Sequence, residues 1–175
     1  MPRNLEIKAR IRDIQECEKL VQTLPASFAG YLNQIDTYFR IPHDRLKLRE
    51  INGTQAELIY YRRDERSSQR TSDYIQYACE DASTMKRLLT DSLGVLCIVH
   101  KRRTLYMYQT TRIHLDEVKN LGSFLELETP IGNSNDESQT VTNYLIGHLG
   151  MKEPDFITCS YLDLMLTAEP EKQAE

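Results

Sequence analysis

The chain reads as an α+β domain: about eight mostly antiparallel strands in a closed or nearly closed sheet, with helices packed outside. Three observations predict this. Apolar and polar residues alternate with period two in eight segments. Most connections between those segments are short, whereas a parallel crossover needs roughly a dozen residues or more. Three other segments carry apolar stripes at helical spacing, inserted without any regular strand–helix repeat, which argues against a parallel α/β sheet.

The elements follow in chain order. In the first strand Leu5, Ile7, Ala9 and Ile11 alternate with Glu6, Lys8, Arg10 and Arg12. A helix follows over Asp13 to Leu24, with Asp13 and Glu16 spaced as a capping pair and Ile14, Cys17, Leu20, Val21 and Leu24 on one face. Next, Ile35, Thr37, Phe39 and Ile41 alternate with Gln34, Asp36, Tyr38 and Arg40. Leu46 and Leu48 alternate with Lys47 and Arg49, and Asn52-Gly53 turns the chain into a strand from Glu57 to Arg63. A fifth strand covers Asp73 to Cys79. The second helix, Asp81 to Leu93, carries Met85, Leu88, Leu89 and Leu93 and stops at Gly94. Strands then cover Ile98 to Tyr108, Thr110 to Val118 and Ser123 to Thr129. The third helix, Asp136 to Leu149, repeats the capping spacing with Asp136 and Gln139 and stops at Gly150. With 175 residues the expectation is one domain over residues 1–166 and a polar, frayed tail over 167–175.

Composition narrows the function. Lys and Arg total 22 against 26 Asp and Glu, a formal charge of -4, which disfavours the nucleic acid backbone as main partner. Cys17, Cys79, Cys97 and Cys159 lie far apart and form no CxxC pair, as expected of reduced thiols in the cytoplasm. No apolar run reaches about 18 residues and the N-terminus lacks an apolar signal core, so neither a membrane span nor a secretory signal is expected.

The polar face of most strands is ionic, with both signs present. Glu6 and Lys8, Lys47 and Arg49, Lys101 and Arg103, Arg112, His114 and Asp116, and Glu126 and Glu128 all fall on it. If the three helices cover the apolar outside of a closed sheet, these charges point inward at one another, and burying them unpaired would cost several kcal/mol each. A charged guest resolves this. Lys and Arg suit phosphate oxygens, and carboxylates among them suit a hard divalent ion, so the pattern points to a polyphosphate with Mg²⁺ or Mn²⁺. Zinc is disfavoured, because His43, His100, His114, His148 and the cysteines lack ligand spacing. His100-Lys-Arg-Arg103 sits within an alternating strand, which reads against a nuclear address. Tyr60, Tyr74, Tyr77, Tyr106 and Tyr108 read as strand packing rather than base stacking.

These residues, in this order, resemble the CYTH family of triphosphate tunnel enzymes, nearest the branch of class IV adenylyl cyclases and thiamine triphosphatases. The matches are Asn4-Leu-Glu6-Ile-Lys8, at the place of the family's ExExK signature, and Gln34-Ile-Asp36-Thr37-Tyr38-Phe39. They continue with Leu46-Lys47-Leu48-Arg49, Lys101-Arg-Arg103 and Arg112-Ile-His-Leu-Asp116. Gly122-Ser-Phe124-Leu-Glu126-Leu-Glu128 and Ser160-Tyr161-Leu-Asp163-Leu complete the set. The resemblance implies an eight-stranded antiparallel tunnel that holds a triphosphate and a divalent metal. It further implies Glu6, Glu126 and Glu128 as metal ligands, and Lys8, Lys47, Arg49, Lys101, Arg103 and Arg112 as phosphate binders. Asp116 falls where relatives often carry an acid near the metal, and it is the candidate catalytic residue for activating water, alongside metal activation.

The sequence departs from the family twice. Asn4 replaces the first Glu of the signature and removes one negative charge. A lysine that many relatives carry on the fourth strand is replaced within Leu58-Ile-Tyr60-Tyr61-Arg62-Arg63. If Ile59 and Tyr61 face inward, so does Arg63, which would hold phosphate but stays protonated and makes a poor general base. Three functions follow from the resemblance: hydrolysis of thiamine triphosphate, tripolyphosphate or a nucleoside triphosphate; cyclisation of ATP to cyclic AMP and pyrophosphate; or binding of a phosphorylated metabolite without turnover. The acidic total is expected to lie outside, on residues such as Glu16, Glu18, Asp136, Glu137, Glu169, Glu171 and Glu175, around an interior with net positive charge.

Overall fold

Eight strands close into an antiparallel barrel in the order β1-β5-β4-β3-β2-β6-β7-β8. The structure is a computed structural model that describes residues 3–63, 70–132 and 135–168. The strands are β1 (Arg3–Ile11), β2 (Ser27–Phe39), β3 (Arg45–Ile51), β4 (Gln55–Arg63), β5 (Arg70–Cys79), β6 (Val95–Tyr108), β7 (Thr111–Val118) and β8 (Gly122–Pro130). The helices are α1 (Ile14–Gln22), α2 (Ala82–Leu93), α3 (Asn135–His148) and α4 (Tyr161–Ala168), with a 3₁₀ turn at Glu153–Asp155. Among the described residues no helix is long and apolar enough to cross a membrane.

Alternation sets which side chains point inside. On β1 the odd residues Leu5, Ile7 and Ala9 face out into the helix-covered core, while Glu6 and Lys8 face the interior. Helices α1 and α3 seal the outside of β1, β7 and β8. There Val21 and Leu145, both fully buried, pack with Ile7, Ile113, Leu115, Leu125 and Leu127. Burying such side chains stabilises the fold by about 1.5–3 kcal/mol each. Helix α2 covers β2, β3 and β4 through Leu89 on Phe39, Leu48 and Ala56. Asp13 caps α1 by accepting from the backbone N–H of Gln15 and Glu16, and Asp81 caps α2 by accepting from Thr84.

Three expectations need correction. Helix α4 has no counterpart in the expected elements, and it carries Thr167 and Ala168 of the expected tail; residues 169–175 lie outside the described residues. Eight residues with Leu162, Leu164, Met165 and Leu166 at neighbouring positions give no one-sided stripe to read. Strand β2 begins at Ser27 rather than near Gln34, because a register shift between Phe28 and Gly30, with Gly30 at φ 135°, breaks the alternation. Helix α3 begins at Asn135, so Asp136 sits in its first turn.

Candidate functional site

Helix α4 gives the barrel a floor. Tyr161 and the buried Leu162 pack against inward residues at one end of the strands, among them Tyr38, Val99, Val118 and Phe124. The Tyr161 ring meets Phe124 edge-on at 5.0 Å. What remains is a cavity of about 280 Å³ whose lining includes Ser160 and Tyr161 of that floor.

Pleat and register arrange the charged lining in depth. Nearest the floor lies a layer of lysines. The Lys8 ammonium sits 4.1 Å over the Tyr161 ring and 3.1 Å from Glu126. Lys47 donates to Asp36 at 2.9 Å. Lys101 stands 3.8 Å from Asp116 and 4.0 Å from Asp36. Two residues further along β3 and β6 comes a layer of arginines. Arg49 grips both oxygens of Asp36 at 2.7 and 2.8 Å, and Arg103 grips both of Asp116 at 2.7 and 2.6 Å and reaches Glu126 at 3.1 Å. Towards the mouth, Arg112 donates to Glu128 at 3.0 Å and the Asn4 amide donates to its other oxygen at 2.6 Å. His114 lies between Glu126 and Glu128, its Nδ1 3.3 Å from the first and its Nε2 3.6 Å from the second.

The electrostatics follow from burial and pairing. Burial pushes the Asp36 carboxyl up, but Arg49, Lys47 and Lys101 together hold it well below the usual carboxylate range. Asp116 is lowered in the same way, against burial, by Arg103 and Lys101. Burial and then the Arg103 charge push Lys101 well below an ordinary ammonium. The same pair of causes lowers His114, which is therefore neutral at pH 7. Burial and then the Asp116 charge raise Tyr161 well above an ordinary phenol, so it keeps its proton and donates it to Asp116 at 2.9 Å.

The structure thus brings Glu6, Lys8, Lys47, Arg49, Lys101, Arg103, Arg112, Glu126 and Glu128 into one cavity. Asp116 lies behind Arg103, fully buried, with both oxygens engaged. Ile59 and Tyr61 face inward as the alternation requires, but the Arg63 side chain lies outside the described residues. Three contributors were not singled out from the sequence as site residues: Asp36, His114 and Tyr161. The signal for Asp36 was its place between Gln34 and Tyr38 on the inward register. Tyr161 had no such signal, because it reaches the cavity from a helix. The expected net positive interior is also corrected. Every described cation of the three layers already faces a carboxylate within 4.0 Å, because a buried cation without a partner is unstable.

The lining contains oxygen donors that fit a hard cation. Glu6 and Glu128 are direct cross-strand partners that both line the cavity, and carboxylate oxygens of this kind are the donors a hard divalent ion takes. Among the described residues no group of three His, Cys, Asp or Glu side chains is already gathered for a metal, since Glu126 and Glu128 are held by Lys8, Arg103 and Arg112.

The CYTH domain profile matches residues 2–161, nearly the whole chain. The chain belongs to the CYTH domain family. A candidate adenylate cyclase of Methanocaldococcus jannaschii is 26% identical over 171 residues, 91% of this chain and 97% of its own. A Pyrococcus horikoshii OT3 protein superposes with a TM-score of 0.84 at 24% identity, over 92% of this chain and 98% of its own. A Hippeastrum protein, described as a candidate adenylyl cyclase with a dominant triphosphatase activity, superposes with a TM-score of 0.70 at 10% identity, over 96% of each chain. At these identities the two structures establish the CYTH fold alone.

Proposed function

We propose that this CYTH protein is a divalent-metal-dependent enzyme that hydrolyses a small triphosphate. The observation that carries the reading is the stacking of a lysine layer beneath an arginine layer at the blind end of the cavity. A chain of linked phosphates matches cations repeated in depth, whereas a single phosphate would satisfy one layer. In this reading the terminal phosphate meets Lys8, Lys47 and Lys101, and the next meets Arg49 and Arg103. Arg112 holds the proximal one at the mouth. Phosphate oxygens take over the cations that Asp36, Glu126 and Glu128 hold in the free protein.

Glu6, Glu126 and Glu128 would hold Mg²⁺ or Mn²⁺, with Asn4 orienting Glu128 through its amide. When bound, that ion offsets charge on the phosphate oxygens and lowers the pKa of water. In-line attack on a terminal phosphate comes from the side opposite the leaving oxygen, which here is the floor where Lys8, Lys101 and Tyr161 meet. Asp116 is a poor base, being paired twice with Arg103 and once with Tyr161. We assign it to holding Arg103 in place, not to taking a proton. The four cysteines are free thiols, which fits a reducing compartment such as the cytoplasm.

Cyclisation of ATP is the second reading, favoured by the description of the Methanocaldococcus jannaschii relative. Hydrolysis is preferred because the floor seats the terminal phosphate deepest, and because the Hippeastrum protein is described by a dominant triphosphatase activity. One incubation panel tests both. With Mg²⁺ or Mn²⁺, the protein meets tripolyphosphate, thiamine triphosphate and ATP. Orthophosphate release supports hydrolysis; pyrophosphate with a cyclic nucleotide supports cyclisation. Thermal stabilisation by tripolyphosphate without turnover leaves a binder, and no effect of any polyphosphate overturns the reading.

A further inference from the structure

The outer part of the cavity is built differently from its floor. Beyond Arg49 and Arg103 the inward positions of three adjacent strands turn apolar: Leu32 on β2, Ile51 on β3 and Leu105 on β6. Register sets them side by side, with Ile51 opposite Gln34, Leu32 opposite Arg103 and Gly30 opposite Leu105. All three are half-buried, and none belongs to the clusters that form the protein core. Apolar side chains on the inner wall of a wet mouth do little for folding; they gain when a ligand covers them. Gly30 keeps the space beside Leu105 clear. A Cβ at that position would meet nothing within 4 Å, and its φ of 135° disfavours any side chain.

Glu57 on β4 lies at the edge of this ledge. It is half-buried and lines the cavity. Its cross-strand neighbour is Arg49, whose guanidinium is committed to Asp36. Among the described residues no hydrogen bond or ion pair engages the Glu57 carboxylate. Such a carboxylate at the mouth repels a bare polyphosphate. It favours a ligand that brings a hydrogen-bond donor or a positive charge beyond its phosphates.

We propose that the mouth is a subsite for the organic end of a triphosphate ester. The face of a flat ring lies on Leu32, Ile51 and Leu105, and its amino or cationic edge meets Glu57. This assignment rests on the polyphosphate reading above and makes inorganic tripolyphosphate the poorer ligand.

Calorimetric titration tests it, with Ca²⁺ in place of Mg²⁺ to suppress turnover and with ATP, thiamine triphosphate and tripolyphosphate as probes. The tighter of the two organic probes is expected to bind about tenfold or more better than tripolyphosphate. Glu57→Gln and Leu105→Ser should each remove most of that advantage; Leu105→Ser should leave tripolyphosphate binding unchanged, and Glu57→Gln should tighten it by removing the repulsion. Glu57→Gln keeps the size of the side chain, so it serves if Leu105→Ser does not fold. Equal binding of tripolyphosphate and both organic probes by the parent overturns the subsite. A Glu57→Gln protein that keeps the parent selectivity, or that weakens all three ligands alike, also overturns it. Failure of all three probes to bind instead defeats the polyphosphate reading itself, and the subsite with it.

Discussion

Asp36 shows how one residue organises the cavity. It is 2% exposed and takes both donors of Arg49 and the Lys47 ammonium. Replacing it with Asn leaves two buried cations short of a partner, so Asp36→Asn should lose about 3–5 kcal/mol at pH 7 in urea unfolding. The sign of its pH dependence follows from its lowered pKa. In the unfolded chain the carboxyl binds its proton near about 3.9, while in the folded protein it binds later, at lower pH. The stability it contributes is therefore complete above the unfolded value and drains away as pH falls through the folded one. Stability measured from pH 7 to pH 3 should drop mainly below about pH 4, and less steeply in Asp36→Asn. Arg49→Ala should weaken tripolyphosphate binding about tenfold or more, since a charge-assisted hydrogen bond is worth about 1.5–3 kcal/mol. Equal affinity in parent and variant would remove Arg49 from the phosphate site.

Among the elements, α4 decides most about the cavity. It converts a tunnel into a blind pocket by seating Tyr161 under the lysines. Tyr161→Phe keeps the ring beneath Lys8 and deletes one donor to Asp116, whose oxygen Arg103 still holds, and it should cost about 1.5–3 kcal/mol for the lost hydrogen bond to a charged group. Tyr161→Ala removes the ring as well and should cost about 3–5 kcal/mol, with weaker tripolyphosphate binding because the floor under Lys8 and Lys101 is lost. Thermal melts with and without ligand separate the two effects. If Tyr161→Ala binds tripolyphosphate as well as the parent, the floor plays no part in seating the terminal phosphate. The strands were legible because each carries two opposite faces: β1 alternates Leu5, Ile7 and Ala9 with Glu6 and Lys8 in plain view. Helix α4 was not legible, since it is short and apolar on several sides, and β2 was half-hidden behind the irregularity at Gly30.

For the whole molecule, the cavity is balanced charge held under tension. Its lysines and arginines are paired inwardly with carboxylates, and burial depresses Lys101 even so. A polyphosphate offers the lysines and arginines further anionic partners, so ligand and fold should stabilise each other. At about 100 times its dissociation constant, tripolyphosphate should add about 2.7 kcal/mol to unfolding, seen as a rise in Tm. The rise should shrink as salt is raised, because screening weakens the approach of the anion. Absence of any shift would count against the site. The sequence by itself determined the strand count and the inward and outward faces, because period-two alternation is a local property that survives without neighbours, and its motifs carried the family resemblance. It also placed nine charged residues on the lining. Only the tertiary structure decided what those charges do in the free protein. Ring closure sets Asp36 against Arg49 and Lys47, hides Asp116 behind Arg103, and brings α4 from the far end of the chain to close the floor. Net charge and alternation say which side chains share a face, but pairing depends on distances of a few ångströms across strands that are remote in sequence.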